Sequence, residues 1–377
     1  MGVAMSDPLV EATAITVLVV DDSPLMQRII TRLIESDPRI RVIDTASDGL
    51  EAIRKATERC PDVVTLDIEM PRLDGLGALK AIMERTPTPV IMLSAIDEAD
   101  TVMQAMQLGA VEFVAKPSGT VSIDLYKVRD EIVNKIKLAT FVTSHPISPS
   151  PSPRAPLELP LSASAGSSAP WYVAIGASTG GPRAIEAVLV ALPRGLPLSV
   201  FIVQHMPIGF TRSFAQRLNR ASSLKVVEAE DGMRVETSCA YVAPGGVHMT
   251  LVRNGKGVVV RLEASQPVNS VRPSIDVLME SVAEIGGART LGVLLTGMGS
   301  DGVAGLARIK AVQGYTIAQD RESSTIFGMP RAAIRRGVVD GVLPLNQIAD
   351  ALVRVVMAPG ARAADDSAEV EGSSGRS

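Results

Sequence analysis

The feature that most constrains this chain is an alternation that occurs twice. Short apolar runs of strand length alternate with amphipathic stretches of helix length, first from Ile15 and again from Trp171. The first set of runs is Thr16–Val20, Arg41–Ala46, Val63–Leu66, Val90–Leu93 and Val111–Ala115, separated by helical segments such as Pro24–Ser36 and Gly49–Thr57. Runs of this kind, joined through helices, suit a five-stranded parallel sheet with helices on both faces. The second set is Tyr172–Ile175, Leu198–Val203, Ala240–Ala243, Val258–Arg261 and Leu291–Leu295. Helices are expected there over Pro182–Leu192, Thr211–Ala221, Ser274–Ile285 and Gly302–Val312, so both halves read as α/β. Between the halves, Ser144 to Pro170 shifts to Ser, Pro and Ala, a composition that buries too little apolar surface to fold and reads as a semi-stiff spacer. The organisation expected is a leader at 1–14, a domain at 15–140, a spacer at 141–169, a second domain at 170–358 and a patternless tail at 359–377.

The bulk numbers fit two domains of ordinary size in 377 residues, with 46% hydrophobic residues but only 3% aromatic. The cores are therefore built from aliphatic side chains and Met. A net charge of −4 gives no argument for nucleic-acid binding. Cys60 and Cys239 are far apart in sequence, have no partners at metal-ligand spacing, and read as reduced thiols. Asp7 and Glu11 precede the first apolar run where a signal peptide would be basic, and no stretch approaches the ~20 apolar residues that span a bilayer. A cytoplasmic location without membrane insertion is expected.

In the first domain the chemistry gathers just past the expected strand ends. Asp21 and Asp22 follow the first run, Asp67 the third, Ser94 the fourth and Lys116 the fifth. Taken singly, each acid suits a helix N-cap or an exposed loop. Together, three carboxylates in one crevice repel one another, and Mg²⁺ is the usual resident of an oxygen-only site. A carboxylate beside Mg²⁺ and a lysine suits acceptance of a phosphoryl group. Val20-Asp-Asp-Ser23, Asp67-Ile-Glu-Met-Pro71 with Asp74-Gly75, Leu93-Ser-Ala95 and Phe113-Val-Ala-Lys-Pro117 resemble the receiver domain of two-component response regulators. The resemblance covers residues 15–138 and implies a flavodoxin-like fold with Asp67 phosphorylated by a histidine kinase. It further implies that Asp21, Asp22, Asp67 and the backbone of Glu69 hold Mg²⁺, that Ser94 and Lys116 sense the phosphoryl oxygens, and that Phe113 is the aromatic switch.

In the second domain the run Trp171-Tyr-Val-Ala-Ile-Gly-Ala-Ser-Thr-Gly-Gly-Pro182 passes from strand to sharp turn to helix, with Pro182 expected at the first helical position. In that context Gly176, Ser178 and Gly180 form a G-x-S-x-G nucleophile elbow, although a Gly-rich turn that packs or binds an anion has the same appearance. A serine nucleophile needs a base, and His205 and His248 are the two histidines of this half. His205 directly follows an expected strand and is preferred, whereas His248 follows a turn at Ala243-Pro-Gly-Gly246. Asp301, on the Gly-rich loop after Leu291–Leu295, suits either a helix N-cap or the acid that orients the base. The order Ser, His, Asp differs from that of the α/β hydrolases.

Ile175-Gly-Ala-Ser-Thr-Gly-Gly-Pro182, Val203-Gln-His-Met-Pro207, Ala243-Pro-Gly-Gly246 with His248-Met249, and Leu295-Thr-Gly-Met-Gly-Ser-Asp-Gly302 resemble the catalytic domain of chemotaxis protein-glutamate methylesterases. Ala318-Gln-Asp-Arg321 and Phe327-Gly-Met-Pro330 extend the resemblance across about residues 170–357, with Ser300 the one departure where asparagine is expected. It implies Ser178 as nucleophile, His205 as base, Asp301 as orienting acid, the Met298 N–H as oxyanion donor and Thr179 as a neighbour shaping the site. No cofactor is expected for ester hydrolysis. The implied substrates are methyl-accepting chemoreceptors, whose glutamate methyl esters would be hydrolysed and whose glutamines some family members deamidate. The unphosphorylated receiver is expected to restrain the esterase by covering the Ser178 crevice.

Overall fold

The computed structural model describes residues 14–95, 98–116, 122–141, 170–255 and 257–357, apart from the side chains of 122–127. The expected leader (all but residue 14), nearly all of the spacer and the whole tail lie outside the described residues. The chain divides into two compact units, Met1–Ser148 and Pro149–Ser377.

In the first unit the strands are β1 (Ile15–Val20), β2 (Ile40–Ala46), β3 (Val63–Asp67), β4 (Val90–Ser94) and β5 (Glu112–Ala115). They form one parallel sheet in the order β2-β1-β3-β4-β5. The helices are α1 (Pro24–Ile34), α2 (Gly49–Arg59), α3 (Gly75–Arg85), α4 (Ala99–Leu108) and α5 (Ser122–Ala139). α1 and α5 share one face of the sheet, where Ile30, Ile34, Ile132 and Ile136 pack on Val17, Val19, Ile91 and Val114. α2, α3 and α4 pack as neighbours away from that pair. Local capping sets where the helices begin. Ser23, Asp48 and Asp74 each accept a hydrogen bond from the first turn of the helix they precede, worth ~1 kcal/mol apiece. The strands start within a residue or two of the runs read from sequence, and their abrupt carboxyl ends deliver Asp21, Asp67, Ser94 and Lys116 to one edge.

The second unit contains β6 (Trp171–Ala177), α6 (Gly181–Ala191), β7 (Leu198–Gln204), α7 (Phe210–Ala221), β8 (Lys225–Glu228), β9 (Cys239–Val242), β10 (His248–Asn254), β11 (Gly257–Glu263) and α8 (Ile275–Gly286). It continues with β12 (Thr290–Leu294), α9 (Val303–Ala311), β13 (Tyr315–Gln319), α10 (Met329–Arg335), β14 (Gly341–Leu343) and α11 (Leu345–Met357). Seven strands form a parallel sheet in the order β14-β13-β12-β6-β7-β9-β8. α8, α9 and α10 pack on one face, through Ile275, Leu278, Leu306 and Met329 among others, while α6 packs beside both α7 and α11. The run Val258–Arg261, expected to belong to the sheet, lies instead in β11 and pairs antiparallel with β10 as a separate hairpin. Its alternating burial gives the reason: only one side of this ribbon, with Val258 and Val260, faces the core, whereas the strands of the parallel sheet β6 and β7 are buried throughout. No helix among the described residues is long and apolar enough to cross a membrane.

Candidate active site

The strand order reverses at β6. Its sequence successor β7 lies on one side and β12 on the other, and crevices beyond the carboxyl ends of strands at such a point are where open α/β sheets bind ligands. Ser178 follows β6 directly, His205 follows β7 directly, and Asp301 lies in the loop after β12. Three adjacent central strands thus supply the three residues singled out from sequence.

The turn at Ser178 is held by its neighbours on both sides. The Ser178 N–H donates to Thr296 O at 3.0 Å, and the Gly181 N–H donates back to Ser178 O at 2.7 Å. Gly180 is the N-cap of α6 with φ of 76°, and a Cβ there would lie 2.3 Å from Thr325 Oγ1, so glycine is required on both counts. Pro182 accordingly falls in the first turn one place later than expected, behind Gly181. Gly297 passes so close that a Cβ on it would sit 2.7 Å from Ser178 Cβ. That close passage brings the Gly297 backbone beside Ser178, while the Met298 side chain is exposed. Thr179 is buried, and its carbonyl accepts from Thr296 Oγ1 at 2.9 Å.

His205 Nε2 lies 2.9 Å from Asp301 Oδ2. Asp301 is buried, yet its carboxylate is surrounded by donors: besides His205, it accepts from Ile275 N (2.6 Å), Ser274 Oγ (2.7 Å), Asn269 Nδ2 (2.9 Å) and Asp276 N (3.3 Å). Burial alone would raise its pKa. The hydrogen bond and charge of His205, with the Ile275 N–H and Asn269, outweigh that and hold it at about 2. Asp301 is not the N-cap of α9, the alternative left open by its sequence position, since that place belongs to Gly302. It sits instead at the amino end of α8, whose free N–H groups and dipole favour a negative charge. His248, the other candidate base, is 1% exposed on β10 and committed elsewhere: Nε2 donates to Gln266 O at 3.1 Å and Nδ1 accepts from Ser274 N at 3.1 Å.

In the first unit Asp21, Asp22 and Asp67 place carboxylate oxygens within 4.8 Å of one another. Lys116 Nζ lies 2.5 Å from Asp67 Oδ1 and 3.1 Å from Asp21 Oδ2. Asp67 is buried, which pushes its pKa up to about 6; Lys116 opposes the rise and the Asp21 charge adds to it. Asp21 Oδ2 is buried with no hydrogen-bond partner beyond that ion pair. Three clustered carboxylates with one oxygen left over form a hard, all-oxygen donor set, which fits Mg²⁺. The Glu69 side chain is exposed, consistent with a contribution through its backbone alone. Ser94 is buried and its hydroxyl donates to Ala95 O at 2.7 Å, along its own chain. Phe113 is buried on β5, with Lys135 Nζ 5.3 Å from its ring centroid.

Comparison with known proteins matches residues 17–125 to the response regulator receiver domain and residues 173–352 to the CheB methylesterase domain. The chain is 46% identical over 354 residues to a protein-glutamate methylesterase/protein-glutamine glutaminase of Symbiobacterium thermophilum, covering 91% of this chain and 97% of that one. A protein of the same name from Geobacillus kaustophilus is 47% identical over 346 residues, covering 91% and 99%. This chain belongs to the CheB methylesterase family. Among solved structures, the CheB methylesterase catalytic domain of Thermotoga maritima aligns with a TM-score of 0.49 at 42% identity, covering 50% of this chain and 99% of that one.

Sequence reasoning missed several residues that hold this CheB-type site together. Gln204, 2% exposed, donates through Nε2 to both Ser178 O (3.0 Å) and His205 O (3.2 Å), tying the two turns together. Thr296 and Gln319 link the elbow to the segment around Ile326. Gln204 and Gln319 both stand inside the motifs read from sequence, but only strand register could show that they point at backbone carbonyls and amides. Ser274 was read only as the start of an expected helix; it is the N-cap of α8 and its hydroxyl donates to Asp301 Oδ1 at 2.7 Å. Lys135 also had no signal, because its partners Glu112 and Phe113 come from a different element.

Proposed function

We propose that the chain is a phosphorylation-activated hydrolase that removes methyl groups from glutamate γ-methyl esters of chemoreceptors, with Ser178, His205 and Asp301 as its catalytic triad. The observation that carries the reading is the contact of His205 Nε2 with the donor-saturated Asp301 carboxylate, one strand from the Ser178 elbow. With Nε2 facing the acid, Nδ1 is the nitrogen left to take the proton from Ser178 Oγ. The alkoxide attacks the ester carbonyl, and the oxyanion is held by the Met298 N–H and the amino end of α6. Collapse of the tetrahedral intermediate breaks the carbon–oxygen bond to the methoxy group, which leaves as methanol with the proton held by His205. Water, deprotonated by the same imidazole, then attacks the acyl-serine and releases glutamate and Ser178. Receptor glutamine would react by the same route with ammonia as leaving group, in keeping with the double name of the relatives.

In the receiver, Asp67 is the phosphoacceptor for a histidine kinase. Asp21, Asp22, Asp67 and the Glu69 carbonyl would hold Mg²⁺, which neutralises charge on the transferring phosphoryl group. Lys116 and Ser94 would bind its oxygens, the latter after leaving Ala95 O, and Phe113 would follow the Ser94 movement. The unphosphorylated receiver restrains the esterase.

The test is methanol release from methylated receptor cytoplasmic fragments. Release should require Ser178 and should rise with acetyl phosphate and Mg²⁺ in the wild type but not in Asp67→Ala. A chain beginning near Ser168 should release methanol faster than the full chain without phosphodonor. Release by Ser178→Ala would remove the triad, and equal rates with and without the receiver would remove the restraint.

A further inference from the structure

The segment between β11 and α8 is exposed from Ala264 to Ser270. Val268 and Val271 exchange N–H···O bonds of 3.2 and 3.0 Å, closing a two-residue turn with Asn269 at φ 53° and Ser270 at φ 64°. Two positive φ values define a turn that favours asparagine, so the backbone accounts for the residue type. It does not account for where the side chain goes. Asn269 Nδ2 donates to Asp301 Oδ1 at 2.9 Å and to Asp276 Oδ2 at 2.8 Å. A single amide nitrogen therefore stands between two largely buried carboxylates, one of which holds His205. The segment is anchored near both ends by buried His248, through Gln266 O and Ser274 N.

We propose that Asn269 is a positioning residue for ester hydrolysis, whose amide holds Asp301 against His205 and keeps the Asp301 and Asp276 carboxylates from sharing a proton. The proposal rests on the triad reading above. Two neighbouring carboxylates in a buried site tend to take up one proton between them, because both cannot ionise cheaply. The –NH₂ group of Asn269 has two hydrogens and no acceptor capacity, so it pairs best with ionised carboxylates and offers nothing to accept the O–H of a protonated one. Without it, a proton is the simplest replacement. Asp301 carrying that proton is a poorer acceptor for His205 Nε2–H, and the imidazole loses the orientation that frees Nδ1 for Ser178. Among the described residues no Lys or Arg side chain pairs with Asp301, and His205 is its one ionisable basic partner. His205 faces Asp301 from the loop after β7 and Asp276 faces it from α8. Asp276 itself meets the Gly305 N–H of α9 and the like charge of Glu280, which Arg308 offsets. Arg272 turns its guanidinium to the carbonyls of Ala264 and Ser265.

The experiment measures methanol release by the full chain as a function of pH, for wild type, Asn269→Gly, Asn269→Asp and the double variant Asn269→Gly/Asp276→Asn. Glycine suits the positive φ, so the turn survives and only the amide is lost. Asn269→Gly is expected to lower kcat about tenfold with KM within about twofold, and to move the acidic limb of the profile up by about one pH unit. Asn269→Asp, with three carboxylates together, moves the limb further. In the double variant, Asp276→Asn removes the competing acid and restores a donor beside Asp301, so the limb returns toward wild type. A profile in Asn269→Gly that matches wild type, or that falls uniformly with no shift of the limb, overturns the proposal. Inactive Ser178→Ala beside an unchanged Asn269→Gly removes this inference alone, whereas active Ser178→Ala removes the triad and the inference together.

Discussion

Each unit carries a buried aspartate at the carboxyl edge of its parallel sheet, and the two aspartates are treated in opposite ways. Asp301 is given five donors, including two backbone N–H groups at a helix amino end, and stays ionised down to about pH 2. Asp67 has Lys116 and the N–H of Ile68, but burial, with the neighbouring charge of Asp21, outweighs them and its pKa rises to about 6. Saturation suits an acid that must hold another residue still. Incomplete satisfaction suits one whose oxygens are to receive a metal ion and a phosphoryl group. The lesson is that the carboxyl edge of a parallel sheet gathers both residues, Asp67 as the last residue of β3 and Asp301 from the loop after β12, while burial and the donors around each separate their chemistry.

The largest expected effect breaks the Asp301 side of the contrast. Asp301→Asn replaces an acceptor with a group that can present N–H to His205, and kcat for methanol release should fall by ~10³–10⁴, as loss of the orienting carboxylate does in serine triads. Phosphorylation of Asp67, followed by labelled acetyl phosphate, should be untouched. Breaking the other side, Asp67→Asn should abolish the rise in methanol release on adding acetyl phosphate and leave the unstimulated rate as it was; chelation of Mg²⁺ should do the same.

Stability against pH sharpens the contrast further. The unfolded chain releases the Asp67 proton near pH 3.8 and the folded unit near 6, so this residue costs stability as pH rises through that window, by up to ~3 kcal/mol. Asp301 has its folded pKa at about 2, below 3.8, so its contribution of ~2 kcal/mol is present above about pH 4 and is lost as pH falls toward 2. Urea denaturation between pH 4 and 8 should therefore show Asp67→Asn stabilising the first unit at neutral pH and nearly neutral at pH 4, with Mg²⁺ stabilising the wild type where the variant gains nothing. Asp301→Asn should destabilise the second unit throughout that range. The smallest effect belongs to Met298→Ala. Its side chain is 54% exposed and the proposed role is the backbone's, so kcat should change by less than about threefold.

Much of this was legible because both sites lie at strand ends, where apolar runs stop abruptly and a polar residue follows. Asp21, Asp67, Ser178 and His205 are each adjacent or nearly adjacent to a strand terminus, and the periodicity that locates the strand locates the residue. Asp301 was legible as a loop residue expected to orient His205, but its other donors were not, since they come from α8 and from a turn whose sequence, Asn269-Ser270, says only that the backbone is left-handed there. The β10–β11 hairpin was misplaced for a related reason. A short run containing Val258, Val259 and Val260 looks the same whether its neighbour is a buried parallel strand or an antiparallel ribbon lying on helix α8.

The strand order has a consequence for how the hydrolase comes into being. The acid and the base are separated by 96 residues, and Asp301 follows a strand that must dock beside β6, the first strand of its unit. Such long-range pairing forms late, after the cost of closing a large loop has been met. A chain leaving the ribosome carries Ser178 and His205 well before Asp301 exists. On the proposed triad, its esterase is silent during synthesis, and activity marks a finished fold.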